Sequence, residues 1–154
     1  MIFVCAIIIA QTNAYPLLPM PQSYIVTDKS FTMGKVKLST PVLKSEWEAF
    51  IVNAGGELAD KATAEIKVEL LPVIDGVKLN PDEAYRLSVS GKLIKIEAVT
   101  ERGVYWALQT LRQLEKKKGK KSNFAGCEIV DWPAFRIRGF MQDVGRSYIS
   151  MEEL

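Results

Sequence analysis

The chain has 154 residues, of which 48% are hydrophobic and 25% charged, and this composition suits one globular domain or a domain with a short addition. Its net charge of +2 gives no indication of a nucleic-acid partner. The sequence contains no histidine, which excludes serine–histidine and cysteine–histidine catalysis and removes the commonest metal ligand. The two cysteines also lack the spacing of a metal-binding pair.

The first fourteen residues carry the pattern of a secretory signal peptide. The run IFVCAIIIA is apolar, uncharged and too short to span a bilayer, and Ala14 is a candidate cleavage residue. One feature of a signal peptide is missing, because no Lys or Arg precedes the run. A buried first strand is the alternative, which the turn-rich segment 15–21 disfavours. We predict that residues 1–14 are a signal peptide and that the protein is exported to the periplasm, cell surface or medium. Cleavage would leave Cys127 unpaired, with no internal disulfide.

Two strands and a helix are predicted next. Residues 23–26 and 31–38 are rich in β-forming types, with a turn-forming segment between them. Ser45 and Glu48 fit the capping box that opens a helix, and Gly55-Gly56 supplies its end. The buried face of this helix is predicted to consist of Trp47, Phe50, Ile51 and Ala54.

A further strand, a hairpin and a second helix are then expected. Residues 64–70 alternate between apolar and polar types, as do 84–89 and 93–98 on either side of the turn 90–92. The last two runs predict a β-hairpin. Thr100 is placed to cap the following helix. The buried stripe of that helix is predicted to be Val104, Ala107, Leu108, Leu111 and Leu114.

The basic run 116–121 follows the second helix. A phosphate-binding patch is one interpretation, but a solvated helix end and loop is favoured, because lysine suits a helix C-terminus. A short strand is predicted over 125–130. Pro133 cannot continue a strand ladder, so we place a domain boundary after residue 132.

This order of elements predicts the fold class α+β for residues 15–132. We expect a mostly antiparallel or mixed sheet with two helices packed on one face. No catalytic constellation is evident in residues 15–130. Glu83 is interpreted as a solvated loop residue. Tyr105 and Trp106 could form a sugar-stacking platform, but at helical spacing at least one is expected to pack in the core or at a domain interface.

The segment DWPAFRIRGFMQDVGRSY, residues 131–148, is strand-like with charge at both ends. It resembles the entry to the catalytic barrel of glycoside hydrolase family 20, the β-N-acetylhexosaminidases, whose pattern there is roughly D-x-P-x-F-x-x-R-G-x-x-x-D-x-x-R. Every fixed position matches; Ser147 is a departure, since many members carry His there. Residues 83–87 and 103–111 resemble the hairpin and second helix of the small domain before that barrel, and 17–21 resembles its start.

The resemblance implies retaining hydrolysis of terminal β-linked N-acetylhexosamine from glycans, without metal or cofactor. In this family the substrate's own acetamido oxygen attacks the anomeric carbon, while a Glu protonates the leaving oxygen and an Asp orients the acetamido group. Arg138 matches the arginine that grips sugar hydroxyls, a task that suits a forked guanidinium. Asp143 and Arg146 match framework residues of the same strand. From the residues alone, an ion pair between Asp143 and either Arg146 or Arg138 that shapes the barrel rim is favoured.

The family's Asp-Glu pair lies beyond the first barrel strand, so no catalytic residue is expected in these 154 residues. A complete barrel needs about 250 residues. We therefore expect the N-terminal part of a longer enzyme, inactive alone, with 133–154 opening the barrel and 138–144 forming its first strand. The expected partners are the glycan substrate and the protein's own catalytic barrel, with no nucleic acid and no stable membrane span.

Two alternatives stay open. The domain could act as a carbohydrate-binding or interaction module without chemistry. It could also be the same accessory domain in another glycosidase family, such as the bacterial α-glucuronidases or the O-GlcNAc-removing enzymes, against which the match in 138–146 counts.

Overall fold

The computed structural model describes residues 17–139 and Ser150. Within them the chain forms a seven-stranded sheet, a three-stranded sheet and two α-helices. In chain order the elements are β1 (Ser23–Val26), β2 (Phe31–Thr32), β3 (Lys35–Ser39), α1 (Lys44–Asn53), β4 (Glu57–Leu58), β5 (Ala64–Leu70), a 3-10 turn (Pro81–Glu83), β6 (Tyr85–Ser90), β7 (Leu93–Ala98), α2 (Glu101–Gln113), β8 (Glu115–Lys118), β9 (Lys121–Phe124) and β10 (Cys127–Asp131).

The large sheet is mixed, with the strand order β1-β10-β6-β7-β5-β3-β4. The pairs from β1 to β7 are antiparallel, and those from β7 to β4 are parallel. The register places Leu87 between Ile129 of β10 and Ile96 of β7, so apolar side chains from neighbouring strands meet on one face. The prediction of a mixed sheet with two helices is confirmed.

One face of this sheet carries the hydrophobic core. Because side chains alternate along a strand, the buried residues of β5, β6 and β7 all face the two helices, while the intervening charged residues face solvent. Gly103 brings α2 close to the sheet, since a Cβ atom there would lie 2.3 Å from the carbonyl oxygen of Ala84. The helices contribute to the core Trp47, Phe50, Ile51, Val104, Ala107, Leu108 and Leu111.

The second helix begins as the sequence predicts. The Thr100 side chain accepts a hydrogen bond of 3.2 Å from the backbone amide of Arg102, which satisfies one of the free amides of the first turn. Its predicted stripe is buried, including Leu114 just beyond the helix. The hairpin that precedes it is also confirmed, because Ser90 pairs with Leu93 around a two-residue turn.

The capping box predicted for α1 is wrong. The helix starts at Lys44, one residue before Ser45, and its N-cap is Leu43 in the left-handed region without a side-chain bond. Ser45 therefore lies inside the first turn, where its hydroxyl donates to Glu46 at 2.9 Å. The predicted end is correct: Gly55 takes the positive φ of 76° that favours glycine.

Residues 31–38 do not form one strand as predicted. They divide into β2 and β3, which belong to different sheets. The change occurs at Met33, which is buried and whose amide donates to the carbonyl oxygen of Ser122 at 2.8 Å. The chain thus leaves the small sheet before it joins the large one. Alternation alone did not reveal this, because both strands bury apolar side chains.

The basic run 116–121 is exposed, as predicted, but it is not a loop. Its residues form the hairpin β8–β9, with Lys118 paired to Lys121 and a positive φ at Gly119. Ser122 and Phe124, buried at alternate positions, hold β9 in the small sheet. In the strand predicted for 125–130, the ladder begins at Cys127 and continues through Asp131.

Several predictions concern residues outside the described part. The signal peptide at 1–14 is one, and Asp143 and Arg146 are two more. Of the predicted barrel strand 138–144, only the first two residues are described, and they are not in a strand. In the described part of the chain, neither helix has the length and apolar character needed to cross a membrane.

Candidate functional site

A groove of about 500 Å³ opens between α2, the segment before β1 and the segment after β10. Its lining is mainly apolar and includes Trp106, Trp132 and Phe135. Three of its apolar side chains are largely in solvent: Leu18 is 80%, Met20 is 81% and Phe135 is 73% exposed. Exposed apolar surface that gathers in one concave place is typical of a binding or packing site.

Both walls of the groove are fixed by bonds from side chains to the backbone. Gln113 of α2 accepts from the Leu18 amide at 2.9 Å and donates to the Leu18 carbonyl oxygen at 3.0 Å. On the other side, the Asn80 side chain donates to the carbonyl oxygen of Pro133 at 2.7 Å. These bonds hold two irregular segments in place without a strand or helix of their own.

The floor of the groove is a polar network around Tyr85. Its hydroxyl shares a hydrogen bond of 2.6 Å with Thr110 and donates to Asp131 at 3.3 Å, while Asp131 also accepts from the Gln22 amide at 3.1 Å. Burial raises the pKa of Tyr85 above its ordinary value, and the nearby Asp131 charge adds to this. Burial also raises the pKa of Asp131, against hydrogen bonds from Gln22, Trp132 and Tyr85. These polar groups are hydrogen-bonded to one another and connect the residue before β1 with β10, β6 and α2 beneath the groove.

At one end of the groove, Glu83, Trp106 and Arg138 form a cluster that we call the Glu83 clamp. The Glu83 side chain lies in the 3-10 turn and is buried, with the residue 9% exposed. The same Glu83 oxygen accepts from the Trp106 indole nitrogen at 2.9 Å and from the Arg138 guanidinium. Arg138 also lies over the Trp106 ring, 5.7 Å from its centroid, and donates to the Phe135 carbonyl oxygen at 2.5 Å.

The electrostatics of the clamp favour an ionised Glu83. Burial alone would raise the pKa of this carboxyl, but hydrogen bonds from Arg138 and Trp106, with the positive charge of Arg138, outweigh burial and lower it. The carboxylate is thus charged at neutral pH, and the bond to Arg138 is charge-assisted. The interpretation of Glu83 as a solvated loop residue is wrong. Its partners lie 23 and 55 positions away, so no local pattern indicated them.

Some of the predicted site residues lie at the groove or on the surface, and others lie outside the described residues. Arg138 lines the groove, and its side chain is 40% exposed. Tyr105 and Trp106 are both exposed, with ring centroids 5.2 Å apart in an edge-to-face arrangement. Neither ring is in the core. The expectation that at least one of them packs at a domain interface stays a prediction. Asp143 and Arg146 lie outside the described residues.

Two observations on the described residues bear on the chemistry of the groove. Among them, no group of three or more Asp, Glu or Cys side chains is arranged to hold a metal ion. Cys127 is buried, and burial raises the pKa of its thiol to about 12, so it is a poor nucleophile at neutral pH. What the groove can do with these groups is bind or pack, through apolar surface and a fixed guanidinium.

Comparisons with known proteins identify the family of this chain. Residues 14–132 match the family model "Glycosyl hydrolase family 20, domain 2". A beta-hexosaminidase of Porphyromonas gingivalis is 27% identical over an alignment of 154 positions. The alignment covers 90% of this chain and 20% of that protein. One from Vibrio furnissii is 33% identical over 95 residues, or 62% of this chain and 15% of its own length.

A solved structure extends the similarity to the fold. An inactive mutant of the GH20 exo-β-N-acetylglucosaminidase from Vibrio harveyi superposes with a TM-score of 0.67 at 32% identity. The superposition covers 90% of this chain and 22% of that one. The chain thus spans about a fifth of the length of these relatives.

Proposed function

Because the chain belongs to glycosyl hydrolase family 20, whose domain 2 matches residues 14–132, we propose that it is the non-catalytic small domain of a β-N-acetylhexosaminidase. The complete enzyme removes terminal β-linked N-acetylhexosamine from glycans by substrate-assisted, retaining hydrolysis. The observation that carries this proposal is the similarity to beta-hexosaminidases over 90% of this chain and a fifth of theirs. The catalytic Asp-Glu pair then belongs to a barrel outside these residues.

In this proposal the barrel is the main partner of the domain, and it covers the groove. Two features support this docking. Leu18, Met20 and Phe135 place apolar side chains in solvent at the groove, where a packed partner would bury them. The segment from Trp132 onward also leads out along the groove, so the following domain begins beside it.

The remaining assignments are part of the same proposal. Arg138 donates hydrogen bonds to sugar hydroxyls in the terminal subsite, and Asp143 and Arg146 shape the first barrel strand, residues 138–144. Residues 1–14 direct export. N-terminal sequencing of the secreted protein tests the last point: it should begin at Tyr15, whereas a mature protein that retains residues 1–14 would refute the signal peptide.

Hydrolysis of an aryl N-acetyl-β-glucosaminide tests the activity. We expect no turnover by the purified 154-residue chain and clear turnover by the product of a longer coding sequence that includes a barrel. Release of the aryl group by the 154-residue chain itself would refute the assignment of a supporting role.

A binding module without chemistry is the second candidate, and the exposed pair Tyr105 and Trp106 favours it, because sugars stack on exposed aromatic rings. Calorimetric titration of the chain with an N-acetylglucosamine oligomer separates the two functions. Saturable binding that is lost in Trp106→Ala would support the module. Absence of binding, with activity in the longer product, supports the barrel-supporting role.

A further inference from the structure

The guanidinium of Arg138 has an unusually well-defined position for a side chain on an irregular segment. A free arginine samples many rotamers, and fixing it costs about 2 kcal/mol of side-chain entropy. Here three groups define its place: the Glu83 carboxylate, the Trp106 ring and the Phe135 carbonyl oxygen. Its neighbour Arg136, two positions away, makes no hydrogen bond or ion pair with any described residue and so gives an internal contrast.

The clamp still leaves Arg138 able to bind something else. A guanidinium has five N–H donors, and the contacts to Glu83 and Phe135 use one on each terminal nitrogen. Toward the described residues, the Nε donor and the second hydrogen on each terminal nitrogen remain unused. The side chain is 40% exposed and lines the groove, so these donors can meet a ligand while Glu83 holds the group in position.

The anchor itself is rigid. Glu83 ends the 3-10 turn, whose N-cap is Asn80. The Asn80 side chain donates to the Pro133 carbonyl oxygen at 2.7 Å, and the Glu83 amide donates to the Asn80 carbonyl oxygen at 3.1 Å. The Thr100 hydroxyl donates to the carbonyl oxygen of Asp82 in the same turn. The turn thus contacts both the cap of α2 and the segment that carries Arg138.

From these contacts we propose that Glu83 is the positioning residue of Arg138: with Trp106 it fixes the guanidinium on the small domain and presents the free donors to the sugar. This rests on the proposed function, because it takes Arg138 as the sugar-binding arginine. Glu83 does not touch substrate in this account. It acts through Arg138, and its effect is therefore on substrate binding rather than on the chemical step.

Limited trypsin digestion of the 154-residue chain tests the clamp independently of any activity. Trypsin must take the arginine side chain into its own pocket, so a clamped Arg138 is cut slowly while Arg136 in the same molecule is the reference. In Glu83→Gln, which keeps the shape and removes the charge, we expect the ratio of cleavage after Arg138 to cleavage after Arg136 to rise about tenfold. An unchanged ratio would overturn the clamp.

Two further variants sharpen this result. Trp106→Phe keeps an aromatic ring and removes the indole donor, so we expect a smaller rise, about threefold. Glu128→Gln is the matched control, because Glu128 lies on the open face of the sheet, where it accepts from the Ser88 hydroxyl. Its ratio should equal that of the unmodified chain; a rise like that of Glu83→Gln would show a general loosening and contradict a specific clamp.

Kinetics of the longer enzyme then test the positioning role. In Glu83→Gln we expect KM for an aryl N-acetyl-β-glucosaminide to rise about tenfold with little change in kcat, because contacts to sugar hydroxyls exist in both ground and transition states. An active enzyme with unchanged KM in Glu83→Gln overturns the positioning role alone. If the unmodified longer enzyme does not cleave the glycoside, the proposed function fails, and the positioning role fails with it.

Discussion

The open face of the large sheet and the groove are both in contact with solvent, but they are built differently. On the open face, Lys95 donates to Glu97 at 2.7 Å and lies 3.1 Å from a Glu69 oxygen, and Arg86 is 3.3 Å from Glu97. Each of these four charged side chains has an opposite charge beside it. At the groove, the Asp131 carboxyl lies beneath the surface, and apolar side chains such as Phe135 are exposed to solvent. The open face is a finished surface, whereas the groove has the character of a surface that another domain covers.

Asp131 below the groove and the glutamates of the open face respond to pH in opposite directions. A hydrogen bond from Lys95 is the main cause that lowers the pKa of Glu97, and one from Lys67 does the same for Glu69. Their stabilising effect is present above the ordinary glutamate pKa and is lost as the pH falls through the lowered values. For Asp131 below the groove, burial raises the pKa, so its ionisation opposes folding as the pH rises through the ordinary aspartate value and above.

The largest effect is expected at Gly103, where α2 approaches the residue before β6. In Gly103→Ala the new Cβ would lie 2.3 Å from the backbone oxygen of Ala84, which cannot move without shifting the turn that carries Glu83. We expect a loss of about 2 kcal/mol in the free energy of unfolding, although helix propensity alone favours alanine. Urea unfolding measures this. Gly34→Ala is the control, since its Cβ would meet only Lys121 Nζ at 3.8 Å; equal losses in both variants would contradict the close-approach explanation.

Replacing Asp131 should remove the opposing pH response of the groove. Asp131→Asn cannot ionise, so its unfolding free energy should rise more steeply with pH than that of the unmodified chain, from about pH 4 upward. The pH dependence of the variant's unfolding free energy then comes from the remaining carboxylates, including those of the open face. Urea unfolding at a series of pH values gives both slopes. A shallower slope in the variant would show that burial does not raise the pKa of Asp131.

A smaller effect is expected on the open face. Lys95→Ala leaves Glu69 and Glu97 without their shared cation, and because these side chains are partly exposed we expect a loss of about 0.5 kcal/mol. The difference should shrink at about 1 M salt, which screens the pair. A loss of several kcal/mol that persists in high salt would mean that Lys95, Glu69 and Glu97 form a buried structural network.

The smallest effect on the isolated chain should come from the rim of the groove. Phe135→Ser removes a side chain that is largely in solvent, so the unfolding free energy should change by less than about 0.5 kcal/mol. In the longer enzyme the same change should lower the melting temperature, because the proposed docking of the barrel buries the ring there. Equal melting temperatures in the longer enzyme and its variant would contradict docking at the groove.

Sequence reasoning succeeded where the determinants are local. The β6–β7 hairpin, the Thr100 cap and the Gly55 stop each depend on residues within a few positions of one another. It failed where a distant partner decides. The change of sheet at Met33 depends on the amide-to-carbonyl bond to Ser122, which no spacing in 31–38 indicates.

The candidate site divides in the same way. Arg138 was found through a resemblance between motifs, and the structure places it in the groove. Its partner Glu83 was misread, because acidic residues after a proline usually face water and its two donors come from α2 and from the segment after β10. Burial and charge pairing of this kind arise only when distant segments fold together.

The most direct test of the central claim is to read the coding DNA beyond the codon for Leu154. A small domain of a β-N-acetylhexosaminidase predicts an open frame long enough for a barrel, roughly 250 residues, that encodes an Asp-Glu pair. A stop codon directly after Leu154 would contradict the account, because the natural product would then lack the catalytic residues that the domain is proposed to support.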